Sequence, residues 1–231
     1  MSNDIRSELR SFPSAGDVTT VTPASAQRVL RNTYALLGLT LAFSALVAGV
    51  AMSLKLPHPG ILVTLVGFYG LFFLVNKTAN SGKGVLAVFA LTGFMGYTLG
   101  PTLNAVMSMP GGSATITNAL AATAAAFLGL SAIALTTKRD FSFMGKFLMI
   151  GMLVAVALGL GAIFFEVPAL SLAVSGMVVL LSCGLILFET SRIVNGGETN
   201  YVMATVGLFV TIYNLFSSLL MLFGLGGSND D

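Results

Sequence analysis

Between residues 33 and 224 the chain is a succession of seven apolar runs, at about 33–54, 60–76, 84–106, 115–137, 144–165, 168–193 and 201–224. An α-helix needs roughly 20 such residues to cross a bilayer, and each run is near or above that length. Every break carries turn or interface chemistry: Lys55 with Pro57-His58-Pro59, then Lys77 and Lys83, then Met109-Pro110-Gly111-Gly112. Lys138-Arg139-Asp140, Glu166 with Pro168, and Asn195-Gly196-Gly197 make the remaining three. The runs lack the alternation over about ten residues that a barrel strand requires. The sequence therefore predicts an all-α integral membrane protein, a seven-transmembrane-helix bundle over 33–224. Residues 225–231 are a short polar C-terminal tail. Residues 1–32 hold Arg6, Glu8, Arg10, Asp17, Arg28 and Arg31, with Pro13, Pro23 and many Ser and Thr. They show no sustained apolar period and read as a disordered tail, with a short helix from Ser25 leading into the first span.

Composition agrees with the runs. Of 231 residues 55% are apolar and only 9% charged, against roughly 25% charged in an ordinary globular domain. That is too little charge to clothe a soluble enzyme, and too much apolar surface for a disordered chain. Cys183 and His58 are the only residues of their types, so no intrachain disulfide and no His/Cys metal cluster can form. Phosphate loops, serine triads and metalloprotease motifs are missing, and no basic block suits nucleic acid. The expectation is a chain that is not an enzyme, with no catalytic residues and no cofactor.

The basic residues fix an expected orientation. With the N-terminus in the cytoplasm, the inner segments hold Arg6, Arg10, Arg28, Arg31, Lys77, Lys83, Lys138, Arg139, Lys146 and Arg192. The opposite side holds Lys55 alone, so the C-terminus is expected outside.

Within the runs, small residues mark packing faces. Gly93, Gly96 and Gly100 share one face of the third run, and Gly151, Ala155 and Gly159 one face of the fifth. Such spacing lets helices approach closely in lipid. The seventh run carries Gly207, Thr211, Asn214 and Ser218 at steps of four, three and four, a stripe expected to face the bundle interior. Asn214 there reads as interhelical glue or, with Thr211, as the lining of a cation route sensed by Glu189 and Arg192; Cys183 reads as packing, and Glu166 and Glu198 as helix-end charges. Glu189 is different. It closes an apolar run, and at the bilayer centre a carboxylate would cost about 2.5–3.5 kcal/mol. One reading is a proton- or cation-responsive gate, in which protonation releases whatever the carboxylate holds. The other is neutralisation by Arg192, three residues on along the same helix, with both side chains reaching the headgroups.

The segment Phe188-Glu189-Thr190-Ser191-Arg192-Ile193-Val194-Asn195-Gly196-Gly197-Glu198-Thr199-Asn200-Tyr201, followed by Thr211-Ile212-Tyr213-Asn214-Leu215-Phe216, resembles the Bax inhibitor-1 family. The closer similarity is to the family's bacterial YccA-like branch. Gly93-Phe94-Met95-Gly96-Tyr97-Thr98-Leu99-Gly100-Pro101 is similar to the family's glycine-rich segment. The resemblance spans 33–224 and implies two functions. The wider family is associated with calcium leak, gated by a hydrogen-bonded pair of acids on the last two helices. Glu189 stands where the first acid is expected. Thr211 stands at the second position, and the second run has no basic latch residue. Counting along the hairpin from Gly196-Gly197 sets Glu189 level with Ala204 and Thr211 about 10 Å deeper, at 1.5 Å per residue. The YccA-like branch implies a modulator or slow substrate of the inner-membrane AAA protease FtsH and its regulatory complex. On this reading the partners are the lipid bilayer and that protease, with calcium or protons under the first alternative. Residues 1–32 would be the handle that the protease engages.

Overall fold

The computed structural model describes residues 23–137 and 139–226. They form seven long helices: α1 (Pro23–Ser53), α2 (Ile61–Thr78), α3 (Lys83–Met107), α4 (Gly112–Thr137), α5 (Gly145–Phe164), α6 (Pro168–Val194) and α7 (Tyr201–Gly226). A single 3-10 turn, Ser142–Met144, precedes α5. Each helix is long and apolar enough to cross a membrane, and no strand occurs among the described residues. The protein is a helical, multi-pass membrane protein.

Residues 23–32, expected as tail with a short helix from Ser25, are the opening turns of α1, continuous with the span. The helix continues past the apolar run into Arg28 and Arg31, so hydrophobicity marks where the bilayer begins and not where the helix begins. The rest of the expected tail, residues 1–22, lies outside the described residues, as does 227–231.

Helix α7 is the centre of the bundle. It touches α1, α2, α3, α4 and α6, whereas α5 packs only on α6 and its own preceding turn. The core around α7 includes Leu37, Val75, Val88, Leu91, Val206, Leu208 and Phe209, all almost fully buried. The tightest seam joins α1 to α3. A Cβ placed on Gly96 would land on the carbonyl oxygen of Ser44, and one on Gly100 would meet Ala51 and the carbonyl of Ala48. Gly93 makes room for the Phe43 ring. All three glycines therefore serve one purpose, to bring the backbone of α3 against α1. On α5, Gly151 and Gly159 face Leu181 and Val174 of α6, and Ala155 is buried between them.

At the end carrying Lys55, α1 and α5 close in the same way. Leu56 N–H reaches Ala51 O, and Val167 N–H reaches Ala162 O. Lys55 (φ 51°) and Glu166 (φ 53°) occupy the left-handed position that glycine usually fills. Tyr97 ties this end together by donating to Pro57 O at 2.9 Å.

Candidate functional site

The connection between α6 and α7 is the hub of the opposite end. It begins with a Schellman close: Gly197 N–H donates to Arg192 O (2.7 Å) and Gly196 N–H to Ile193 O (3.2 Å). Gly196 takes φ 74°, which is why glycine stands there. Asn200 then caps α7, its Oδ1 accepting from Val202 N–H (2.9 Å) and Met203 N–H (3.2 Å). The amide of the same residue donates to Ala79 O (3.2 Å) and Asn80 Oδ1 (2.8 Å), which docks the α2–α3 loop. Ser191 docks the α4–α5 loop. Its hydroxyl donates to Arg139 O (2.9 Å) and accepts from Phe141 N–H (3.1 Å), while Asn195 donates to Arg139 O and to Ser191 Oγ. In that loop Ser142 N–H donates to Asp140 at 2.8 Å. Hydrogen bonding from the Ser142 side chain first, and from this N–H second, holds the Asp140 carboxyl below the usual carboxylate range.

Arg192 belongs to this hub and not to Glu189. Its guanidinium pairs with Glu198 Oε2 at 3.2 Å and lies 5.5 Å from the centre of the Phe188 ring. The helix-neutralisation reading is therefore corrected. The tight turn folds Glu198 back over the last turn of α6, closer to the guanidinium than the acid on its own helix. Glu198 also accepts Asn200 N–H at 3.0 Å, so it braces the turn on both sides.

Glu189 points the other way, into the helix pair. Thr211 Oγ1 lies 3.3 Å from Oε1 and 3.2 Å from Oε2, and its single proton is shared between them. The depth difference of about 10 Å counted along the hairpin is thus corrected. Side chains on an α-helix tilt toward its N-terminus. In an antiparallel pair the tilt carries Glu189 deeper along α7 and Thr211 back toward it. Gly207 clears the path, since a Cβ there would stand 2.9 Å from Glu189 Oε1. Taken as a whole residue Glu189 is partly buried, and Thr211 almost fully.

Of the residues singled out in the sequence, the structure brings together Glu189, Gly207 and Thr211. Arg192 is elsewhere. Asn214 is partly buried on the same stripe and forms no hydrogen bond to any described residue. Gly93, Gly96 and Gly100 belong to the α1–α3 seam. Cys183 is partly buried and free. Among the described residues no group of three His, Cys, Asp or Glu side chains gathers to hold a metal.

Sequence reasoning missed two hydroxyl contacts. Tyr34 of α1 and buried Thr190 of α6 sit 3.4 Å apart, so the residue beside Glu189 is joined to the first helix. Deeper in the bundle Thr98 and Tyr213 are 3.0 Å apart. Only the presence of a hydroxyl in an otherwise apolar helix hinted at either.

The sequence model of the family described as Inhibitor of apoptosis-promoting Bax1 matches residues 26–229. Three relatives show the same extent of similarity. An uncharacterized protein of Pseudomonas aeruginosa is 54% identical over 87% of this chain and 91% of its own length. The Escherichia coli protein named Modulator of FtsH protease YccA is 52% identical over the same shares. An uncharacterized membrane protein of Vibrio cholerae is 43% identical over 88% of this chain and 92% of its own.

Proposed function

This chain belongs to the Bax inhibitor-1 family, and we propose that it acts in the bacterial inner membrane as a non-enzymatic modulator of an FtsH-type protease. One observation carries the reading: 52% identity, over nearly the whole of both chains, to a protein named for that modulation. The fold is compatible with it. A closely packed bundle resists extraction, because a protease working from a polar end must first open seams such as that between α1 and α3. The polar residues 1–22 precede α1 and supply such an end, on the cytoplasmic side if the basic residues orient the chain.

The test is co-purification of the full chain with the protease from solubilised membranes, beside a variant lacking residues 2–22. Capture of the full chain and loss of capture in the variant are expected. A full chain that fails to bind overturns the proposal.

A second reading is supported by the Glu189–Thr211 contact, which places a carboxylate between two membrane helices with one hydroxyl donor. On this reading the protein leaks cations, calcium included, and protonation of Glu189 changes the flux. Liposomes loaded with a calcium dye test it. Flux should differ between low and high pH in the parent and lose that dependence in Glu189→Gln. Equal flux at both pH values in the parent counts against it.

A further inference from the structure

We infer that the Arg192 end of the bundle binds the phosphate headgroups of anionic phospholipids through Lys77, Lys83 and Lys146, each set above an outward-facing apolar side chain. The inference does not depend on the protease or leak readings.

Among the described residues, charge at this end is unbalanced. Arg28, Arg31, Lys77, Lys83, Arg139 and Lys146 are all exposed. None has an acid partner or a side-chain hydrogen bond among the described residues. Among the described residues the acids at this end are already committed, Glu198 to Arg192 and Asp140 to Ser142 N–H, and Glu189 faces Thr211 inside the bundle. Two of the lysines are also badly placed for their own helices. Lys83 and Lys146 stand in the first turns of α3 and α5, where the helix dipole disfavours a cation, and neither N-terminus has a side-chain cap. An anion other than these carboxylates resolves both conditions.

The apolar neighbours say which anion. Phe73 lies one turn deeper than Lys77, Leu86 one turn deeper than Lys83, and Ile150 one turn deeper than Lys146. All three point outward, as do Phe143 and Phe147 flanking Lys146. A cation at the helix end, with an apolar side chain one turn of about 5.4 Å further in, matches a phosphate and the start of its acyl chain. An acidic protein segment would have no use for the outward apolar partner. The opposite end is a built-in control. It has the same girdle, with Phe164 83% and Phe165 73% exposed, but among the described residues its only Lys or Arg is Lys55, and Glu166 adjoins the two rings.

The full chain, purified in neutral detergent, is mixed with dioleoyl phosphatidylglycerol or dioleoyl phosphatidylcholine, and retained lipids are counted by native mass spectrometry. Phosphatidylglycerol should be retained in excess. The excess should fall about fivefold for each of Lys77→Gln, Lys83→Gln and Lys146→Gln, and not for Lys55→Gln. Millimolar glycerol phosphate should not displace the lipid, since the acyl chain contributes. Equal retention of both lipids, or an excess that survives the triple substitution, overturns the inference. So does a poly-glutamate peptide that binds through the same lysines while phosphatidylglycerol does not. If the triple variant does not fold, the parent's phosphatidylglycerol excess must still decline from 50 mM to 500 mM salt. An excess unchanged by salt also overturns it.

Discussion

Two seams of this bundle are built around glycine, and they use it for opposite ends. Between α1 and α3, Gly93, Gly96 and Gly100 let backbone meet backbone, and the neighbours are the Ser44 and Ala48 carbonyls, Ala51 and the Phe43 ring. Between α6 and α7, Gly207 leaves a space that a carboxylate fills, with Thr211 as its donor. One seam is closed by contact alone. The other holds a group that water would otherwise solvate and whose charge can change. The same residue type thus makes a rigid joint in one half of the molecule and a polar cell in the other.

The largest effect expected in testing this difference is at the rigid seam. Gly96→Leu must push α1 away, because the obstacle is backbone that cannot rotate aside. A loss of roughly 3 kcal/mol is expected, read as a lower thermal midpoint in detergent. At the polar seam the obstacle is a side chain, so it can be removed. Gly207→Ala should cost about 1–2 kcal/mol in the parent and close to nothing in a Glu189→Ala background. If the cost is the same in both backgrounds, Gly207 serves contact alone and the distinction between the seams fails.

Smaller effects come from the hub at the end of the polar seam. Asn200→Ala removes the α7 cap and the bond that docks the α2–α3 loop, with an expected cost of about 1 kcal/mol. Proteolysis within 79–82 should rise with it, while the Lys55 end stays protected. The smallest effect is one of pH. As a carboxylate Asp140 is held by the Ser142 side chain and by its N–H, so its folded pKa lies below the unfolded value. Its contribution is therefore present above the ordinary carboxylate range and is lost as pH falls through the lowered folded value. A spin label at Phe143→Cys should become more mobile over that acid range, and Asp140→Asn should flatten the response.

How much of this was legible in the sequence depends on the scale of the signal. The spans were, since an apolar run of twenty residues has few other uses. The start of α1 was legible only as a short helix from Ser25 within a tail, because Arg28 and Arg31 lie on a helix that outlasts the hydrophobic stretch. Glu189 stood out as a charge closing an apolar run, and its partner position Thr211 came from family resemblance. Their approach was obscured by counting rise per residue, which ignores the tilt of Cβ and the reach of a glutamate. The i, i+3 spacing of Glu189 and Arg192 suggested a pair that the tight turn redirects to Glu198. Tyr34 and Thr190, at opposite ends of the sequence, share no local pattern at all.

As a proposed modulator, this protein would change what a membrane protease does without cutting anything itself. The most direct measurement is the degradation rate of a second, unrelated membrane substrate by the FtsH-type protease in proteoliposomes, with the full chain added at increasing ratio. A dose-dependent change in that rate, lost when residues 2–22 are removed, is the expected result. A rate that does not respond to the full chain at any ratio would contradict the claim.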